Sequence, residues 1–110
     1  MKLREIFLVG AAAALCSTGA QGALDSGAAE ALMKKSGCMK CHSVTAKKDG
    51  PSFKSTAEKL RGKPDAQAEL YKHLTTHPTI KIDGKEEKHE SLKTTNDAEI
   101  NNVIEYILSR

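Results

Sequence analysis

The chain has 110 residues, a length that allows one small domain. It carries 28% charged residues, 4% aromatic residues, no tryptophan and a formal net charge of +3. Stacking aromatics and known nucleic-acid motifs are missing, which sets nucleic acid aside as a partner.

The N-terminus reads as an export signal rather than as part of the fold. Lys2 and Arg4 make a short basic start, and Ile6 to Leu15 is an apolar, alanine-rich run of ten residues. That run is too short to span a bilayer as a helix. Small residues follow, and a cut after Ala20, Gly22 or Ala23 leaves small residues at the break. The expectation is a cleaved signal peptide over residues 1–23, a mature domain over 24–110, a periplasmic location and no stable membrane insertion. Removing the leader removes Cys16 and leaves Cys38 and Cys41.

A first helix is predicted from Asp25 or Ser26, both good N-cap types. Ala28, Ala31, Leu32 and Met33 form its apolar side, Lys34 and Lys35 sit in its last turn, and Gly37 ends it. Directly after comes Cys38-Met39-Lys40-Cys41-His42, a C-x-x-C-H run. This is the signature of c-type haem attachment. Two cysteines three apart lie on one face of a helical turn, from which both sulfurs reach the vinyl groups on one haem edge. His42 is then placed to offer its imidazole to the iron. One cysteine pair falls short of the two pairs a structural zinc site commonly uses. A disulfide within C-x-x-C closes so small a loop that it is a redox site or nothing.

Ser43 to Gly50 reads as lysine-rich loop and Gly50-Pro51 as a turn. Phe53, Ala57 and Leu60 give a short second helix, and Gly62-Lys63-Pro64 breaks it. Ala66 to Leu74 is a third helix, with Leu70, Tyr71 and Leu74 apolar. Thr75 to Thr95 shows no sustained period and reads as a long, functional loop, with Thr79 to Ile82 briefly alternating. The last helix begins at Asn96 or Asp97, and Ile100, Val103, Ile104, Ile107 and Leu108 follow its helical period. Only Phe53, Tyr71 and Tyr106 supply aromatic surface after the leader. A core this poor in large side chains is marginal for its size, and a buried haem would fill it.

Over residues 28–110 the chain resembles the short bacterial class I cytochromes c. The resemblance rests on Gly37 with Cys38 to His42, on Gly50-Pro51-Ser52-Phe53, on Ala68-Glu69-Leu70 and on the closing helix from Asp97 to Leu108. It implies an all-α fold of about four helices wrapped around one haem, covalently attached through Cys38 and Cys41. It implies that the terminal helices cross near Gly37 and Tyr106, with glycine at 37 permitting their close approach. It implies that the Pro51 carbonyl accepts a hydrogen bond from His42, fixing the ring and raising its basicity. The activity implied is one-electron transfer and not enzymatic turnover; no acid/base constellation is visible.

One family feature is missing. A methionine usually faces the proximal histidine, but here the methionines are Met1, Met33 and Met39. Met1 goes with the leader, Met33 reads as core filler and Met39 lies inside the attachment motif. The candidates for the second axial position are His89, near the place of the family's methionine, then His77, with His73, a lysine or no ligand behind them. His73 is also placed to face a haem propionate. Two imidazoles make a low-potential, bis-histidine cytochrome the expectation, because methionine ligation raises the potential. The alternative is a haem-based protein that binds or senses a small ligand by displacing its sixth ligand. Between Lys34 and Lys63 nine basic residues face two acids, whereas Pro64 to Arg110 holds six basic and nine acidic residues. The haem-bearing segment is therefore strongly cationic and fits redox partners with acidic docking surfaces. The protein is expected to be a monomer.

Overall fold

The computed structural model describes residues 23–110, so residues 1–22 of the expected leader lie outside the described residues. Four α-helices carry the fold. Helix α1, Ser26–Lys35, starts where the Asp25 side chain accepts from the Ala28 N–H at 3.0 Å. It buries Ala29 and Met33, four residues apart, and carries Lys34 and Lys35 against its C-terminal dipole. A 3-10 turn over Cys38–Lys40 follows. Helix α2, Phe53–Leu60, is capped by Ser52, whose hydroxyl accepts from Ser55 N–H at 3.1 Å. Helix α3, Ala66–Thr75, buries Ala66, Leu70 and Leu74 at four-residue steps.

Helix α4, Asp97–Leu108, is the hub. Asn96 caps it by accepting from both Ala98 N–H and Glu99 N–H, and Asp97 and Glu99 place negative charge in its first turn. It buries Ile100, Val103, Ile104, Tyr106 and Ile107, and α1, α2 and α3 each pack against it. Polar contacts fix the α1–α4 crossing. Asn102 donates to the Asp25 carbonyl at 2.8 Å and accepts from the Asp25 N–H at 2.9 Å. One turn on, the Tyr106 hydroxyl donates to Glu30 at 3.0 Å, while its ring meets Phe53 edge-on.

Two points differ from the expectations above. The 75–95 segment is not all loop. Strands β1, Thr79–Ile82, and β2, Lys85–Lys88, pair antiparallel from Thr79 opposite Lys88 to Ile82 opposite Lys85. Asp83 and Gly84 make the two-residue turn with φ of 50° and 77°. Positive φ at both central positions is the type I′ geometry that matches strand twist, and Asp-Gly is a preferred pair for it. The second point is Gly37. A Cβ built there would meet only the Lys40 side chain, at 3.9 Å, so among the described residues it opens no helix crossing. Glycine is required instead by φ of 78°, the left-handed turn that lets the chain pass from α1 into the 3-10 turn.

The segment after the hairpin is tied back to the helices. Leu92 N–H donates to the Leu74 carbonyl at 3.0 Å, and Lys93 N–H donates to the buried Ser36 hydroxyl at 2.9 Å. These bonds hold residues 89–93 between the end of α3 and the end of α1. Among the described residues no helix is long and apolar enough to cross a membrane.

Candidate haem site

The 3-10 turn places Cys38 and Cys41 on one side of a cleft, both as free, half-buried thiols. Burial raises the Cys38 thiol above its ordinary value, and neighbouring Cys41 adds to this while a backbone hydrogen bond opposes it. A reactive dithiol needs the reverse, a thiol lowered toward thiolate. Cys38 is thus not activated as a redox thiol, and both sulfurs line one cleft, placed as two attachment points.

His42 follows on the same turn and is held on three sides. Its Nδ1 donates to the Pro51 carbonyl at 2.7 Å, since a carbonyl only accepts, and this leaves Nε2 with a free lone pair. Its ring stacks on Phe53 with centroids 5.4 Å apart. Its edge lies on Gly50, where an added Cβ would come 2.8 Å from Nδ1. The Gly50 N–H also donates to the Cys41 carbonyl at 2.7 Å, closing the 41–50 loop under the ring.

His89 leaves the hairpin and faces His42 with ring centroids 6.1 Å apart. Burial, then the neighbouring His42, lowers its basicity, with Glu90 opposing. Its Nδ1 is buried without a hydrogen-bond partner. His73 of α3 sits beside it at 4.0 Å between ring centroids. Burial, then His89 and His42, pushes His73 down to about 4. Burial thus holds His73 and His89 toward the neutral, lone-pair-bearing form, and the bond to Pro51 fixes which His42 nitrogen faces the cleft.

The space between them is a chain of three neighbouring clefts, all bordered by Pro51 and His73. One, of about 290 Å³, is lined by Cys38, Cys41, His42, Ile80, Ile82 and His89. An adjoining, mostly apolar one of about 60 Å³ is bounded by Met33, Phe53, Leu70, Val103 and Ile107. An apolar slot flanked by two thiols and facing imidazoles is the donor set a covalently attached haem needs.

The structure thus brings together Cys38, Cys41, His42, Pro51 and His89. His77 stands apart: it is exposed, borders none of these clefts, and its Nδ1 donates to the His89 carbonyl at 3.1 Å. Met33 is buried in the core at 1% exposure, and Met39 is 39% exposed on the surface. Gly50, Ile80 and Ile82 went unnamed as site residues. The alternation of Thr79 to Ile82 was the signal that would have marked the two isoleucines as one inward face.

Fold and site define a small, mostly helical protein built to carry a c-type haem. The cytochrome c family model matches residues 27–110, and the chain belongs to that family as a class I monohaem cytochrome. Its haem c is bound covalently through Cys38 and Cys41. Curated relatives include cytochrome c-551 of Pseudomonas aeruginosa, 40% identical over 45 residues, which are 41% of this chain and 43% of that protein. Cytochrome c-552 of Hydrogenobacter thermophilus is 49% identical over 37 residues, 34% of this chain and 38% of its own. The matched stretches therefore span less than half the length of either relative. Among solved structures, the class 1 cytochrome MtoD from Sideroxydans lithotrophicus ES-1 superposes with a TM-score of 0.74 at 46% identity. That match covers 79% of this chain and 97% of MtoD. Cytochrome c552 of Nitrosomonas europaea gives 0.56 at 26% identity, over 73% and 96%.

Proposed function

We propose that this chain is an exported, periplasmic one-electron carrier, residues 1–23 being removed, with haem iron held between His42 and His89. The observation that carries the reading is the 6.1 Å between those two rings. Two imidazoles bound at about 2.0–2.1 Å on opposite sides of one metal ion have centroids about 6–6.5 Å apart. The unpartnered His89 ring nitrogen supports the same assignment, because a buried polar atom needs a partner.

When bound, haem supplies an iron centre that accepts or releases one electron. The residues do the rest. Pro51 holds the His42 ring and makes it a stronger donor. Gly50 and Phe53 stop that ring from turning. Burial, then the neighbouring His42, lowers the basicity of His89 and so favours the neutral ring that a metal binds. A second imidazole in place of a thioether lowers the potential. Exposed Lys40, Lys47, Lys48 and Lys54, with exposed Met39 among them, support docking of an acidic partner near the attachment edge.

Potentiometric titration of wild type and His89→Met tests this. The variant is expected to titrate at a higher midpoint, as methionine ligation does. An unchanged midpoint would remove His89 from the iron. The hairpin position of His89 also favours a second reading, in which the ligand swings away and a small molecule binds. Carbon monoxide added to the reduced protein separates them: an unchanged spectrum supports the carrier, and rapid binding supports the sensor.

A further inference from the structure

We propose that His77 is a positioning residue that clamps the sixth ligand. It does so by holding the neck of the hairpin, and the inference rests on the reading of His89 as that ligand. His77 adopts φ of 49°, a left-handed conformation that non-glycine residues take only where the surroundings over-determine it. Pro78 disfavours the right-handed helical region for the residue before it, so α3 stops at Thr75 and the chain turns here.

The turn brings two consecutive residues onto both backbone groups of His89. The His77 Nδ1–H donates to the His89 carbonyl at 3.1 Å. The His89 N–H donates to the Pro78 carbonyl at 2.8 Å. Between these bonds lies the whole hairpin, from Thr79 paired with Lys88 to the Asp83-Gly84 turn. The His77 ring is exposed and borders none of the clefts, yet its bond closes the base of the hairpin from which His89 leaves. Losing it frees the His89 carbonyl and lets the ligand leave more often. The apparent affinity of any competing ligand rises as the closed fraction falls.

The test is titration of the ferric holoprotein with free imidazole, in wild type, His77→Gly and His77→Asn. Glycine accepts φ of 49° without a donor. Asparagine tolerates the same conformation and keeps an N–H donor. Net loss of one hydrogen bond predicts about three- to tenfold tighter imidazole binding in His77→Gly. His77→Asn is predicted to stay near wild type. Unchanged affinity in His77→Gly, or an equal rise in both variants, overturns the proposal. His89→Ala separates the two claims. If it leaves imidazole affinity and spectrum as in wild type, His89 is not the ligand. If it changes both while His77→Gly does not, only the clamp is wrong.

Discussion

His42 owes its orientation to two neighbours with no reactive side chain. The Pro51 carbonyl holds Nδ1 at 2.7 Å, and the missing Cβ of Gly50 makes room for the ring edge. Gly50→Ala forces a methyl into that edge, so the ring must shift or the loop must open. Overpacking of this kind costs about 1–3 kcal/mol. Chemical denaturation of the holoprotein measures it, and wild-type stability in Gly50→Ala would refute the packing. His73 makes stability depend on pH. Its folded value near 4 lies below the ordinary 6.5, so the unfolded chain binds more protons between those limits. Stability is therefore full above about pH 6.5 and erodes as pH falls toward 4, with His89 acting in the same direction. In His73→Gln the fall across this window should be shallower; an unaltered slope would show that His73 charges freely. Cys38, Cys41 and His42 were legible from spacing alone. The meeting of His73 with His89 was not, because it depends on the backbone bond from Leu92 to Leu74 that ties the segment after the hairpin to the end of α3, while the visible pattern in α3 was Leu70, Tyr71 and Leu74.

At the scale of elements, the helices were legible from apolar spacing, breakers and, for two of them, capping residues. Asp25 and Asn96 cap α1 and α4 as their residue types suggested, whereas α2 and α3 were read from apolar spacing and from the Gly62-Lys63-Pro64 break. The Ser52 cap appears only in the structure, and Asp65 makes no side-chain cap on α3. The hairpin was not, for a physical reason. Strand β2, Lys-Glu-Glu-Lys, has no apolar residue and is exposed throughout, so it gives no alternation to read. The hairpin's signals were the brief alternation of Thr79 to Ile82 and Asp83-Gly84 between two four-residue runs. The hairpin is held by that turn, by pairing and by its neck rather than by core burial. Gly84→Val puts a β-branched residue at φ of 77°, a cost of about 1–2 kcal/mol. Amide hydrogen exchange across Thr79–Lys88 should accelerate about 5- to 30-fold, with α4 unaffected. Unchanged exchange in the hairpin would mean that the turn does not hold it.

For the whole molecule, α4 joins the other three helices into one body, and the haem cleft lies between that body and the hairpin. Charge is divided over the same body, cationic from Lys34 to Lys63 and acidic beyond. An anionic oxidant should therefore react more slowly as salt rises from about 0.01 to 1 M, while a cationic one is not slowed. Stopped-flow oxidation of the reduced protein measures both, and equal salt dependence would remove electrostatic docking at the haem edge. The central claim is that imidazole holds the iron on both sides. The most direct measurement is the ferric absorption and paramagnetic resonance spectrum of holo wild type beside His89→Ala. Wild type should be low-spin and six-coordinate, and the variant high-spin until added imidazole returns it to low spin. A His89→Ala spectrum identical to that of wild type would contradict it.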